Sequence, residues 1–353
     1  MTEPELKASD SKILEARSQI QKLSIHQGDD GQTRIAKVQA FLTSLGGGCL
    51  VEEDVKTLLE AWNLALGSLL HTLAAHEIHR LFLRHFTARL MVVADPSSIR
   101  LTEANLQDLY RTAKEHLSSC PSASSDGDTA LLVSHASLSA AALKLLHALL
   151  VLPRSDPSSP CLVLSAAEIE PCVQTLLLGA NYRPNANPPT TRSAPSPFAS
   201  HSSLRQSVAS ESEVTSTDHG SDNRSQAGTH SDNPQKRVKS TARTVRQNAI
   251  SCLSALHEAF PALLFSSWPQ LLQAEEVNLG VASTSALPMG GFARMAAAPG
   301  RPTRSLLTVI QDDPVLSVRL AACHFVMNMF KKAAQKGFLT AGIVEPRWVI
   351  GLR

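Results

Sequence analysis

Apolar side chains recur at alternating steps of three and four through much of the first 182 residues. Val55, Leu58, Leu59, Trp62, Leu66, Leu69, Leu70 and Leu73 share one helical face, and Ile78, Leu81, Phe82, Phe86 and Leu90 continue the pattern. A single helix over 53–90 would be long, since globular helices run to about 8–20 residues. A break is therefore expected near Gly67 or near Ala74 and Ala75, giving an antiparallel pair. Thr102 opens a further helix with Leu106, Leu109, Tyr110, Ala113 and Leu117 inward. Cys120-Pro121-Ser122 ends it, because the residue before proline leaves the helical region. Residues 134–152 repeat the pattern with Leu138, Ala142, Leu145 and Leu149, closed by Pro153. Ser165 with Glu168 forms a capping box. It starts a helix that buries Ile169, Val173 and Leu176 and ends at Gly179. No stretch alternates as a strand between hairpin turns. The predicted class is all-α, built from antiparallel helix pairs.

The pattern lapses over 183–240, where Ser, Thr, Pro, Asn, Asp and Gly dominate. Such a stretch buries too little surface to offset its ordering entropy and reads as a disordered linker between two helical blocks. Its serines beside acids, as in Ser210-Glu211-Ser212-Glu213, are candidate phosphoacceptors. Helical periodicity returns from Thr241 and stops before Pro261. A short helix with Leu263, Leu264, Trp268, Leu271 and Leu272 follows, then a Gly-, Ala-, Ser- and Pro-rich loop at about 278–302. Two more helices, 304–311 and 315–332, are joined by Asp312-Asp313-Pro314. This organises the chain as a helical block at 1–182, the linker at 183–240, a repeat pair at 241–335 and an irregular tail at 336–353, where the array reads as cut short.

Two helices of the last block repeat one another. Val245-Arg246 is followed by Ala249, Leu253 and Leu256; Val318-Arg319 is followed by Ala322, Val326 and Met329, at identical offsets. Internal self-similarity of this kind marks solenoid repeats. The alanine permits close helix approach and the later apolar residues fill the seam. Asp313 is placed to cap the second helix, with Pro314 at its first position. The order of elements resembles the HEAT repeat-containing protein 6 family and its domain of unknown function: the acidic serine segment, the Val-Arg helix, Ser267-Trp268-Pro269, Ser305-Leu306-Leu307-Thr308, Asp313-Pro314 and Val318-Arg319. The resemblance covers about 205–335. It implies an armadillo/HEAT-type α-solenoid in which Arg246, Arg319 and Asp313 have structural roles, arginine pairing with aspartate between neighbouring repeats. The two Val-Arg dipeptides lie 73 residues apart, against about 40–47 for HEAT-type units; the loop at 278–302 accounts for most of the excess.

Composition narrows the function. The chain of 353 residues is 43% hydrophobic but only 4% aromatic, which suits helix-on-helix packing. A net charge of +2 argues against a dedicated nucleic-acid binder. The six cysteines, Cys49, Cys120, Cys161, Cys172, Cys252 and Cys323, form no CxxC pair and point to buried thiols in a reducing compartment. The first ten residues lack the apolar core of a secretion signal, and the apolar run at 138–152 is too short to span a bilayer. These features predict a cytoplasmic or nuclear protein that is not secreted and has no membrane partner.

Candidate chemistry is sparse. His76-Glu77 with His79 is similar to a zinc motif, but HExxH needs its second histidine at position 80, which is Arg. Together with His71 and His85 these histidines read as a partly exposed helix face, with His85 on its apolar side. Gly46-Gly47-Gly48 has no Gly-Lys-Ser/Thr after it, and Gly290-Gly291 lies in the long loop; both read as connectors. Lys236-Arg237-Val238-Lys239, with Arg243 and Arg246, reads as a solvated linker end. No catalytic, metal or cofactor site is expected. The expected function is a non-catalytic scaffold or adaptor whose partners are other proteins. The competing expectation is a karyopherin-like transport or nucleic-acid-associated HEAT protein.

Overall fold

A computed structural model describes residues 28–46, 50–67, 72–92, 101–118, 129–152, 162–184, 234–272 and 305–335, with Ser18, Leu23, Ile25, His26 and Leu69. The described residues are helical and include no strand element. The helices are α1 (Gly31–Ser44), α2 (Glu52–Leu66), α3 (Leu73–Met91), α4 (Glu103–Ser118), α5 (Thr129–Val151), α6 (Ala166–Ala180), α7 (Pro234–Ala259), α8 (Pro261–Phe265), α9 (Trp268–Leu272), α10 (Leu306–Asp312) and α11 (Leu316–Gln335). The expected all-α class is what forms. Residues 185–233, the loop at 278–302 and the tail at 336–353, with the features expected of them, lie outside the described residues, as does His71.

Local chemistry starts and stops these helices. The Asp30 carboxylate accepts the Thr33 amide at 2.7 Å ahead of α1, and the Thr72 hydroxyl accepts the Ala75 amide at 3.1 Å ahead of α3. Glu168 reaches back to the Ser165 amide at 2.9 Å. Each such cap is worth about 1 kcal/mol. Of the two expected break points, Gly67 ends α2, with φ +47°. The buried Arg34 side chain from α1 donates there to the carbonyls of Ala65 and Leu66, at 3.4 and 3.3 Å. Two free carbonyls at a helix C-terminus thus gain a cation. Ala74 and Ala75 instead lie in the first turn of α3.

Packing is layered. α2 lies on α3, α4 on α5, α6 on α7 and α10 on α11, while α1, α3, α5, α7 and α11 also pack one upon the next in chain order. One apolar core runs from Leu23 to Ala333. It joins the two blocks that the sequence separated: Asn248 and Cys252 of α7 donate to the carbonyls of Ala140 and Leu143 in α5, both at 3.0 Å. Phe82, Phe86, Phe325 and Trp268 are among its largest enclosed side chains. Burial of a side chain of this size contributes about 1.5–3 kcal/mol.

Four expectations are corrected. The helix expected from Thr241 begins at Pro234, because Val238 and Ala242 extend the Val245–Ala249 face and are buried, so polar neighbours masked a continuous stripe. α5 begins at Thr129 and has 23 residues. It is long and apolar enough to cross a bilayer by length and composition; half of its most apolar window is buried against neighbouring helices. Pro314 is not the first residue of α11, which begins at Leu316; Asp313 takes the Val315 amide at 2.8 Å in the turn before it. Gly179 does not end α6. It is buried where a Cβ would come within 3.1 Å of the Ala249 Cβ, so its role is close approach to α7.

Candidate functional site

The repeat positions define one junction. Val245, Ala249, Leu253, Leu256, Val318, Ala322 and Met329 are fully enclosed and Val326 nearly so, which makes them the seam of α7 and α11 with their neighbours. At the rim of that seam Arg246 Nε stands 2.8 Å from Asp313 Oδ2, and the two side chains are 6% and 1% exposed. The same guanidinium donates to the Tyr182 carbonyl at 3.1 Å, just past the end of α6. Arg183 donates to the Asp312 carbonyl at 2.9 Å and lies 4.0 Å from Asp313. One carboxylate therefore faces two guanidiniums and ties three chain segments together. Burial lowers the Arg246 pKa, and Asp313 opposes that effect. Beside the pair, Arg243 and Gln247 both donate to the Ser317 hydroxyl at 3.0 Å.

The structure thus brings Arg246 to Asp313 but leaves Arg319 apart from both. Its Nε is buried and has no hydrogen-bond partner among the described residues. Tyr182, Arg183 and Ser317 were not legible as members of this junction, because they meet it only through stacking.

A second cluster sits where α2, α3, α4 and α5 meet. The His76 ring lies 4.1 Å from that of His135, and its Nδ1 is 3.3 Å from the Ser134 hydroxyl. The His79 ring lies 4.3 Å from that of His116. His79 Nδ1 accepts the Trp62 indole N–H at 2.9 Å, and His116 stacks on the same indole. The helix face expected to be partly exposed is therefore an interface, with His76 buried. Burial, then repulsion from neighbouring imidazoles, holds His79 down to about 3 and His116 and His135 down to about 4. These rings are neutral at ordinary pH, and His79 carries its proton on Nε2 because Nδ1 is an acceptor.

Among the described residues no group of three or more His, Cys, Asp or Glu side chains is placed to hold a metal ion. An open cleft between α1 and α3 is lined by Gln32, Ile35, Gln39, Leu73 and Glu77. Cys172 and Cys252 are buried, and burial raises both thiols, Cys172 to about 11, away from the reactive thiolate. Compared with protein-family models, with curated proteins and with solved structures, the chain matches none of them.

Proposed function

We propose that this chain is a non-catalytic scaffold, an α-solenoid portion of HEAT or armadillo type that binds other proteins in the cytoplasm or nucleus. The observation that carries the reading is the ordered stacking of α3, α5, α7 and α11, each with a companion helix, tied at the Arg246–Asp313 junction. Stacked pairs of this kind leave long curved faces on which proteins and peptides bind. The ionisable groups support it as well. The buried arginine is occupied in holding helices together, and the imidazoles pack at a helix interface, His76 buried and His79, His116 and His135 half-buried.

The test is affinity purification with mass spectrometry, using the full chain and a chain lacking residues 185–233, each at low and high salt. The expected result is one reproducible set of protein partners, recovered by both chains at both salt concentrations. Recovery of nucleic acid alone, lost at high salt, would favour the nucleic-acid-associated alternative. Recovery of nothing above background from either chain would reject the scaffold.

A further inference from the structure

The helix α11 carries two apolar faces. Val318, Ala322, Phe325, Val326, Met329 and Ala333 are buried against its neighbours. Leu316, Leu320, Cys323 and Met327 lie on the opposite side, within about 60° of arc at 3.6 residues per turn. That side is turned to solvent. Leu316 is 51% exposed, Leu320 50% and Met327 67%, and Cys323 is half-buried. Single apolar residues are ordinary on a surface, but a contiguous stripe marks a place where another surface binds.

The order of residues along the stripe says which surface. The positions run Asp312, Leu316, Leu320, Cys323, Met327 and Lys331, at steps of four, four, three, four and four. The steps read the same backwards. Two copies of the stripe laid antiparallel about a two-fold axis therefore match throughout: Leu316 of one falls on Met327 of the other, and Leu320 on Cys323. The ends match in charge. Asp312, exposed at the end of α10 before the turn into α11, falls on Lys331, exposed near the C-terminal end of α11. A two-fold contact requires self-complementarity of this kind. A parallel arrangement would set lysine on lysine and aspartate on aspartate.

We infer that the open face of α11 pairs with the same face of a second copy of this chain, antiparallel, with Leu316 against Met327 and Asp312 against Lys331. The inference stands apart from what the scaffold binds. Burial of the two apolar stripes drives the contact, and the charged ends fix its direction. Four apolar side chains from each copy are few beside the roughly 20–30 residues a side of a standard interface. The association is therefore weak, in the micromolar range.

The experiment is sedimentation equilibrium of the purified full chain from low micromolar to several hundred micromolar. A reversible monomer–dimer equilibrium is expected. Leu316→Glu with Leu320→Glu should abolish it and leave the helical circular dichroism unchanged, because both residues stand in solvent. A chain monomeric at every concentration would overturn the pairing and leave the face to a different protein. So would a dimer that the two glutamates leave intact, since another surface would then hold it. Direction is read separately. Asp312→Lys should weaken the dimer and adding Lys331→Asp should restore it; a double variant no tighter than the single one would refute the end pairs. Leu316→Cys with Met327→Cys should give a 316–327 disulfide between chains on mild oxidation, mapped by peptide mass spectrometry. Within one helix the two positions stand about 16 Å apart, too far to join. Cross-linked dimers without that disulfide would refute the antiparallel register. Every measurement uses the purified chain alone, so this pairing and the scaffold reading fall separately.

Discussion

Arg246 and Asp313, 67 residues apart in sequence, form a nearly solvent-free ion pair in which Nε and Oδ2 stand 2.8 Å apart. The pair stabilises the stack only while both members are present. Removing Asp313 leaves the buried Arg246 charge with only the Tyr182 carbonyl to accept from it.

Asp313→Ala is therefore expected to cost about 3–5 kcal/mol in denaturant unfolding. The solvent-exposed Lys56–Glu52 pair is its control, and Lys56→Ala leaves the midpoint unmoved. A loss at Asp313 no larger than at Lys56 would remove the junction from the account of stability.

The histidines make stability pH-dependent. Unfolded imidazoles titrate near about 6.5, whereas burial and neighbouring imidazoles hold folded His79 near 3 and His116 and His135 near 4. Burial, then Arg89, holds His85 down to about 4. Below pH 6.5 the unfolded chain gains protons that the folded chain does not. Stability is thus full above that pH and falls with acidification until the folded rings titrate. The denaturation midpoint should drop from pH 7 to pH 5, and His79→Gln with His116→Gln should flatten the slope. An unchanged slope in that variant would place the titration elsewhere.

Close helix approach predicts steric sensitivity. A Cβ on Gly31 would come within 2.6 Å of the Ala74 Cβ, between α1 and α3. Gly31→Ala should cost about 1–3 kcal/mol as an overpacked contact. Gly179→Ala, facing Ala249 at 3.1 Å, should cost less. Equal effects in thermal unfolding would contradict the ordering.

Thiol reactivity should follow burial. Cys323 is half-buried, while Cys172 and Cys252 are enclosed and raised in pKa. Peptide mapping after brief alkylation of the native protein should find Cys323 modified well before the other two. Comparable rates at all three would show the core opening on the same timescale.

Much of the helical layout was legible because it is local. Leu106, Leu109, Tyr110, Ala113 and Leu117 announced the buried face of α4 through spacing alone, and all five are enclosed. The start of α7 was missed for the opposite reason. Lys236, Arg237, Lys239 and Ser240 hid Val238, whose burial depends on where the helix lies. The histidine cluster was half visible. His76 and His79 share a helix face, but His116 and His135 come from other helices and carry no joint signal in the chain.

By itself the sequence determined an all-helical chain, most of the buried stripes, the Gly67 break and the two equivalent Val-Arg helices. These depend on dihedral preferences and on a 3.6-residue period, which act over a few neighbours. The tertiary structure alone decided that the blocks on either side of the polar segment share one core, that Arg246 takes Asp313 while Arg319 does not, and that His79 meets His116 beside Trp62 while His76 meets His135. Those contacts follow from how helix faces stack. Stacking is set by the shape and volume of many side chains at once, and no local pattern encodes it.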